Sequence, residues 1–225
     1  MTLHQLPLAS KDKVIIVGAG IGGLASSVRL SHLGYQVNVF EKARNAGGKL
    51  RTITGSTGDI DVGPTVLTLL PIFKKLFKSV GEDIFEHIEL VRQKIIARHW
   101  WPDGTSLDLH DNFEASRDAI LSFSGSNSAH EFEKYFFDTK DLFSCFDVPV
   151  MQNPKPSLLD MNRAVLSNPR ILTKIHPHRS LSSSLKLKFS DYRLQQLFAR
   201  YATYVGGSPL ELSLIHISEP TRLGF

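Results

Sequence analysis

The sequence predicts an α/β fold, in which a parallel β–α–β unit comes first and a segment of mixed helices and strands follows. Three stretches predict the β–α–β unit. VIIV (14–17) is a short β-branched apolar run, which is typical of a buried parallel strand. LASSVRLSHL (24–33) repeats apolar residues at helical spacing, and the next residue is Gly34, a residue type that commonly ends helices. QVNVFE (36–41) alternates apolar and polar residues and predicts a second strand that ends on Glu41.

The loop between the first strand and the helix, GAGIGG, has the G-x-G-x-x-G spacing of Rossmann-type dinucleotide-binding proteins. Gly18 allows a tight turn, Gly20 lets the backbone approach a pyrophosphate, and Gly23 lets the helix pack close to the strand. The helix N-terminus offers unpaired N–H groups to the phosphates. Glu41 stands about twenty residues further on, where a carboxylate can accept hydrogen bonds from a ribose. The residues predicted to contact the cofactor in this unit are Gly18, Ala19, Gly20, Ile21, Gly22, Gly23, Glu41 and Lys42.

The composition of the 225-residue chain is that of a globular protein, with 42% hydrophobic and 21% charged residues. The net charge of +4 is too small to indicate nucleic-acid binding, and no nucleic-acid partner is predicted. The single cysteine, Cys145, excludes an intramolecular disulfide. The nine histidines form no recognisable metal or nucleophile motif, so we predict no metal site and assign no catalytic residue.

Two further stretches extend the glycine pattern. EKARNAGGKLRT (41–52) places two glycines after the second strand, and DVGPTVLT (61–68) adds a Gly-Pro pair. Together with the glycine-rich loop, these stretches resemble the FAD-dependent amine oxidases and carotenoid desaturases. The resemblance implies FAD as the cofactor and places the Gly-Pro backbone along the flavin ring, although a plain turn after a strand would explain that pair equally well. Ser27 departs from the family's alanine, and Lys49 departs from its arginine and lacks the bidentate fork. The further cofactor residues that the resemblance implies are Gly47, Gly48, Lys49, Gly63, Pro64 and Thr65.

The middle of the chain predicts a β-hairpin. IARHWWPDGTSLDLHD (96–111) contains two strand-like runs around a Pro-Asp-Gly turn. Trp100 and Trp101 are adjacent in the first run, so they should point to opposite faces of the strand.

Helices are predicted after the hairpin. Asp111 is expected to cap a helix that runs through Phe123, and a second helix is expected over about 129–146. Four phenylalanines near one face of the second helix favour core packing over the wall of a ligand tunnel. The serine-rich stretch 180–190 predicts a loop that leads into a helix.

The stretches ARHWWPDGTSLDL, VPVMQNPKPSL and FSDYRLQQLFARYATYVGGSP resemble the bacterial hydroxycarotenoid 3,4-desaturases, a branch of the phytoene-desaturase type of carotenoid oxidoreductase. The likeness extends from about Lys13 to Glu211. It implies an oxidoreductase that desaturates an acyclic hydroxylated carotenoid by hydride transfer to FAD. A carotenoid cis–trans isomerase, a flavin amine oxidase and an inactive fragment that does not complete the flavin site stay open as alternatives.

The resemblance also suggests a division of the chain. The expected segments are an N-terminal tail (1–12), the N-terminal part of an FAD-binding domain (13–90), part of a membrane-facing substrate domain (91–211) and a C-terminal tail (212–225). LSLIHISEPTR in the last segment resembles a translated sequencing adapter. We therefore expect the chain to be an incomplete fragment, and we exclude this segment from fold reasoning.

A basic stretch lies between Arg163 and Arg200, with eight Lys or Arg residues and one acid, Asp191. Because the implied substrate is a long lipid, this stretch predicts a peripheral protein on the cytoplasmic side of the inner membrane. A solvated helical face would explain the same charges equally well. The oligomeric state is left open by the sequence.

Overall fold

The computed structural model describes residues 12–64, 67, 69–153, 155, 157–174 and 179–212. These residues form two compact units, which divide between Val91 and Arg92. The regular elements, in chain order, are β1 (Lys13–Val17), α1 (Ile21–His32), β2 (Gln36–Phe40), β3 (Thr52–Gly55), β4 (Gly58–Asp61), α2 (Leu70–Lys78), α3 (Ile84–His87), β5 (Ile95–Trp100), β6 (Ser106–His110), α4 (Phe113–Phe146), α5 (Leu158–Ser167), α6 (Leu181–Lys188) and α7 (Tyr192–Ala199). Short π- and 3₁₀-helical segments cover Asp147–Met151, Pro169–Thr173 and Arg200–Val205.

The first unit begins with the predicted β–α–β arrangement. β1 and β2 run parallel, with Val17 opposite Phe40. α1 connects the two strands and packs on the face of β1 that carries Ile16, because a Cβ added at Gly23 of the helix would lie 3.4 Å from the Ile16 side chain. An antiparallel pair of strands, β3 and β4, follows together with α2 and α3.

β1 is covered on one face only, so the expectation of a buried strand was wrong for the other face. Ile15 is 66% exposed and Val17 is 86% exposed. Within the described part of the chain, β1 pairs with β2 alone and α1 covers only the Ile16 face. Alternate side chains of a strand point to opposite faces, so those of Ile15 and Val17 remain in solvent.

The second unit contains the predicted hairpin. β5 and β6 pair antiparallel, with Trp100 opposite Ser106. Trp100 is 71% exposed and Trp101 only 9%, which confirms that the two indoles point in opposite directions. The inward face of β6 buries Leu107 and Leu109 against α4.

An aromatic core fills the second unit. Phe132 is fully buried and stacks on Phe198 with ring centroids 5.9 Å apart, and Phe198 stacks on Phe189 at 4.9 Å. Phe132, Phe136 and Phe146 of α4 are buried, as the sequence favoured, whereas Phe143 is only half-buried. The buried residues of this cluster are Trp101, Leu107, Leu109, Ile120, Phe132, Tyr135, Phe136, Leu181, Leu185, Phe189, Leu194, Leu197, Phe198, Tyr201 and Ala202.

α4 contains the two helices that the sequence predicts, joined at a kink at Gly125. Its N-cap is Asn112, whose side-chain oxygen accepts a hydrogen bond from the Ala115 N–H at 2.8 Å. Asp111 was the wrong choice, because its carboxylate binds the Arg92 guanidinium. Helical geometry fails inside α4 at Gly125, where φ is 87° and ψ is 178°.

The serine-rich stretch forms helix α6, so the predicted loop was wrong. Ser180 caps the helix by accepting a hydrogen bond from the Ser183 N–H at 3.2 Å. Leu181 and Leu185, one turn apart, are both buried. Burial of this pair outweighs the preference of serine for loops and turns.

Leu212 is the first residue of the expected adapter-derived tail, and it packs against the main core. Its carbonyl accepts a hydrogen bond from the Leu181 N–H at 2.6 Å, and its own N–H donates to the Ser208 carbonyl at 2.9 Å. The remainder of that tail and residues 1–11 lie outside the described residues. Among the helices that the structure describes, none combines the length and apolar character needed to cross a membrane.

Candidate dinucleotide-binding site

The glycine-rich loop makes a tight turn between β1 and α1. Gly18 has φ of +101°, a conformation that side chains disfavour, and its N–H donates to the Phe40 carbonyl at the end of β2 at 2.7 Å. Gly20 is the N-cap of α1, and no side chain caps this helix end. The first N–H groups of α1, at the exposed residues Ile21 and Gly22, are thus placed to bind an anion.

Gly23 holds the helix close to the loop. A Cβ at this position would lie 2.0 Å from the Gly18 carbonyl oxygen, a distance that no real side chain tolerates. Any larger residue would push α1 away from β1 and open the turn. Gly23 therefore fixes the shape of the loop through its close contact with the Gly18 carbonyl.

Ala19 links the glycine-rich loop to the residues that follow β2. It is 4% exposed, its N–H donates to the Glu41 Oε2 at 2.7 Å, and its carbonyl accepts from the Gly47 N–H at 2.8 Å. One residue of the loop thus joins the end of β2 to the glycine pair that follows it. Sequence reasoning included Ala19 only by its place in the loop, because backbone hydrogen bonds leave no trace in residue type.

Glu41 is held in place by backbone donors. Its Oε1 accepts from the Ala43 N–H at 2.9 Å, while Oε2 accepts from Ala19. These N–H groups of Ala43 and Ala19 lower the pKa of the Glu41 carboxyl below its ordinary value. Each carboxylate oxygen has a second lone pair, so the ionised group still has acceptor capacity for a ribose hydroxyl. The neighbouring cation, Lys42, is exposed.

The Gly47–Gly48 pair forms a second wall beside the loop. Both glycines have positive φ, of +127° and +62°. A Cβ on Gly48 would approach the Gly20 Cα to 3.0 Å, so a side chain there would press on the loop. A Cβ on Gly20, in contrast, would meet only the Gly48 Cα at 3.9 Å. The protein itself therefore has room for a small side chain at Gly20, and close approach of a cofactor to the backbone would be a reason for glycine there.

Gly63 lies against the segment that carries Lys49. A Cβ on Gly63 would lie 2.1 Å from the Lys49 carbonyl oxygen. This contact explains the need for glycine without reference to a flavin ring. The side chain of Lys49 is exposed, and so is Pro64, while Thr65 lies outside the described residues.

The predicted residues thus form two groups. The loop from Gly18 to Gly23 meets Glu41 and the Gly47–Gly48 pair through direct contacts, and Gly63 meets Lys49. The helix end without a side-chain cap, the Glu41 carboxylate and a glycine at position 20 that the protein's own packing does not require suit a dinucleotide. In the described ranges, no three His, Cys, Asp or Glu side chains come close enough together to hold a metal ion.

Comparison with known families supports a Rossmann-like fold for the part of the chain that carries the glycine-rich loop. Residues 16–81 match the family described as an NAD(P)-binding Rossmann-like domain. The match covers the loop, the end of β2 and the glycine pair. The predicted Rossmann-like fold is therefore confirmed for this part of the chain.

Curated relatives match both units. Hydroxyneurosporene desaturase of Cereibacter sphaeroides is 42% identical over 88% of this chain and 40% of its own length. Hydroxyneurosporene desaturase of Rhodobacter capsulatus is 38% identical over 94% of this chain and 44% of its own length. A 1-hydroxycarotenoid 3,4-desaturase of a Flavobacterium species is 34% identical over 88% of this chain and 40% of its own length.

Solved structures share the fold. A putrescine oxidase variant matches 92% of this chain and 40% of its own chain with a TM-score of 0.58 at 15% identity. An oxidoreductase from Methanosarcina mazei matches 93% of this chain and 42% of its own with a TM-score of 0.54 at 19% identity. At these identities the likeness shows the fold alone. The chain, which spans about two fifths of the length of its curated relatives, is a homologue of the hydroxyneurosporene and 1-hydroxycarotenoid 3,4-desaturases and carries a Rossmann-like dinucleotide-binding domain.

Proposed function

We propose that this protein is an FAD-dependent oxidoreductase that desaturates an acyclic hydroxylated carotenoid at its 3,4-bond. The substrate would lose a hydride and a proton from adjacent carbons and would gain a conjugated double bond. The hydride acceptor would be supplied by the bound cofactor. The chain's own residues would bind and orient that cofactor through the loop at Gly18–Gly23, Glu41 and the Gly47–Gly48 pair.

The observation that carries the cofactor proposal is that the protein itself has room for a methyl group at Gly20. The backbone there has φ of −76° and ψ of 178°, which any residue can adopt, and a Cβ would meet nothing closer than 3.9 Å. Glycine is therefore not needed at this position by the protein itself. A ligand backbone that approaches closely gives a reason for it.

The substrate proposal rests on the relatives. Three of them are named for hydroxyneurosporene or a 1-hydroxycarotenoid, and their likeness extends over both units. A long apolar substrate resides in a bilayer, so we propose further that the protein works as a peripheral protein on the cytoplasmic side of the inner membrane. The basic stretch after Arg163 is consistent with that place.

Substitution of Gly20 tests the cofactor proposal. Gly20→Ala should leave the fold unchanged, since the added methyl has room, yet it should weaken FAD binding by about tenfold or more because it fills the ligand's space. Binding is measured by quenching of flavin fluorescence on titration with the 225-residue chain, and ADP and NADPH are titrated in parallel. Tighter binding of NADPH than of FAD would contradict the proposal.

Ser27→Ala is the matched control. Ser27 lies on α1, its hydroxyl donates to the Leu24 carbonyl at 2.7 Å, and alanine is the residue of the family pattern. This variant should bind FAD like the wild type. If Gly20→Ala also binds FAD like the wild type, with an unchanged circular dichroism spectrum, the ligand does not approach the loop at Gly20 and the proposed site is wrong.

Product mass tests the reaction. The chain loaded with FAD is incubated with hydroxylated neurosporene in vesicles, and the products are analysed by mass spectrometry. Loss of two hydrogens is expected of a desaturase, whereas an isomer of unchanged mass would assign cis–trans isomerisation instead. Bound FAD without turnover would identify this chain as the inactive alternative.

A further inference from the structure

A cleft in the second unit lies between the end of α4 and helix α5. Its volume is about 390 Å³, and small-molecule sites typically measure roughly 300–1,000 Å³. Its walls are mostly apolar and carry a few polar groups, which is the usual composition of a ligand site. The residues that line it include Cys145, Pro149, Asp160, Arg163 and Ala164. We name it the α5 cleft.

The two walls of the α5 cleft come from different elements and are held together by a small core. Cys145 of α4 and Ala164 of α5 both pack against the buried cluster around Phe146. The Cys145 thiol also donates a hydrogen bond to the Ala164 carbonyl at 3.4 Å. Pro149 belongs to the π-helical segment after α4, and π-helical geometry is rare and frequent at functional sites. Packed elements therefore set the shape of the cleft.

One wall carries a carboxylate that uses only one of its two oxygens. Oδ2 of Asp160 accepts hydrogen bonds from the Ser157 N–H and hydroxyl at 3.0 and 2.7 Å and from the Asn153 amide at 3.4 Å. Among the described residues, none donates a hydrogen bond to Oδ1. The hydrogen bonds from Ser157 lower the pKa of the Asp160 carboxyl, so the group is ionised at neutral pH. Oδ1 therefore has the capacity to accept a hydrogen bond from a ligand.

The same wall carries a cation. Arg163 follows Asp160 at a spacing of three residues, which places both side chains on one side of α5. Their charges interact, since Arg163 also contributes to the lowered pKa of Asp160. Yet in the part of the chain that the structure describes, no carboxylate lies within ion-pair distance of the Arg163 guanidinium. The two charges are thus near each other without closing into an ion pair.

We propose that the α5 cleft binds an aliphatic alcohol, with its chain along the apolar wall and its hydroxyl between Asp160 and Arg163. A hydroxyl both donates and accepts hydrogen bonds, so it can donate to the Asp160 carboxylate and accept from the Arg163 guanidinium. Asp160 would repel a ligand with a carboxylate head, and Arg163 would repel one with an ammonium head. The proposal does not rest on the proposed function, because neither FAD nor turnover enters it.

Protection of Cys145 from N-ethylmaleimide tests the proposal on the 225-residue chain. Cys145 is the single cysteine and lines the cleft, so its rate of modification reports on this site alone. Burial raises the pKa of its thiol, so the reaction is followed at mildly alkaline pH, where the thiolate forms. Octanol, octanoate and octylamine share one chain and differ in the head group. Octanol should protect Cys145 at concentrations about tenfold lower than either charged probe does.

Removal of one charge at a time should change the preferred head group. Asp160→Asn leaves the guanidinium without a neighbouring anion, so octanoate should then protect best, whereas Arg163→Gln leaves the carboxylate, so octylamine should protect best. Arg170→Gln is the matched control, because Arg170 is exposed and is not among the described residues that line the cleft. It should keep the wild-type order. Asp160 also caps α5, so circular dichroism checks the helix, and Arg163→Gln alone decides the outcome if Asp160→Asn unfolds it.

Absence of protection by octanol up to its solubility, or one order of the three probes in all four proteins, would overturn the proposal. Hydroxylated neurosporene and neurosporene in detergent micelles then identify the source of the alcohol. Protection by the hydroxylated compound alone assigns the cleft to the hydroxyl end of the proposed substrate, and protection by octanol but by neither carotenoid assigns it to a free alcohol. Equal protection by both carotenoids would contradict recognition of a hydroxyl.

Discussion

Residues 12–91 and residues 92–212 place similar apolar side chains in different surroundings. In the second unit Phe132, Phe198 and Leu194 are fully buried, whereas in the first unit Ile15 and Val17 of a β-strand are mostly exposed. The loop of the first unit is held instead by close backbone contacts and by glycines that admit no side chain. The difference indicates that burial stabilises the second unit, while sterics and backbone hydrogen bonds set the shape of the candidate site in the first.

The largest expected effect is at the centre of the aromatic core. Phe198 stacks on Phe189 and lies 4.8 Å from the Tyr135 ring, with no exposure to solvent. Phe198→Ala should lower the free energy of unfolding by about 3–5 kcal/mol, because the cavity cannot close around rigid rings. Urea unfolding followed by circular dichroism measures the change.

Val17→Ala in the first unit is the control for this prediction. Val17 is 86% exposed, so truncation should change the free energy of unfolding by less than about 0.5 kcal/mol. If Phe198→Ala and Val17→Ala lower the free energy of unfolding equally, burial does not distinguish the second unit from the first.

A smaller effect is expected at Asp191. Its carboxylate accepts hydrogen bonds from the Arg193 guanidinium at 2.7 Å and from the Ser124 hydroxyl at 2.6 Å, and its side chain is 11% exposed. The hydrogen bonds from Arg193 lower the pKa of Asp191 to about 2. A carboxyl whose pKa falls on folding stabilises the folded state above its ordinary pKa, and this contribution disappears as the pH falls towards 2.

Asp191→Asn should therefore lower the free energy of unfolding by about 2 kcal/mol at neutral pH. The difference from the wild type should shrink as the pH falls from about 4 to 2. Chemical unfolding at several pH values measures both. Asp118→Asn serves as the control, because Asp118 is 60% exposed in its pair with Arg117 and should contribute less than about 0.5 kcal/mol. A pH-independent loss at Asp191 would mean that its charge is not the cause.

Local sequence patterns predicted the helices and strands better than they predicted the contacts between residues distant in the sequence. The β–α–β unit and the hairpin follow from spacing and alternation over a few residues, and both are present. The serine-rich α6 was missed because its buried leucines meet partners from other helices, which periodicity does not reveal. The cap of α4 moved to Asn112 because Arg92, twenty residues upstream, binds Asp111.

In the candidate site, too, the sequence predicted the residue types but not the contacts among them. Residue types identified the glycines and Glu41, because strand ends and tight turns require them. The convergence of Glu41 and Gly47 on Ala19 was not predictable, since it is made by backbone groups of an alanine. For Gly63 the sequence left a flavin contact and a plain turn equally open, and the Lys49 carbonyl gives a steric reason for glycine that needs no ligand.

The smallest expected effect tests whether the exposure of a side chain, and not the unit to which it belongs, determines how much a substitution lowers the free energy of unfolding. Trp100 belongs to the well-packed unit but is 71% exposed, while Trp101 donates to the Gln196 side chain at 3.1 Å and packs 5.1 Å from the Phe123 ring. Trp100→Phe should change the free energy of unfolding by less than about 0.5 kcal/mol, whereas Trp101→Phe should cost about 1–2 kcal/mol through its lost hydrogen bond. With two tryptophans in the chain, emission from Trp100→Phe should come from the buried indole alone, shifted to the blue and protected from iodide. If iodide quenches the emission of that variant and the emission is red-shifted, Trp101 lies in solvent. The hairpin would then not pack in the core, and the contrast between a buried second unit and an exposed first unit would fail.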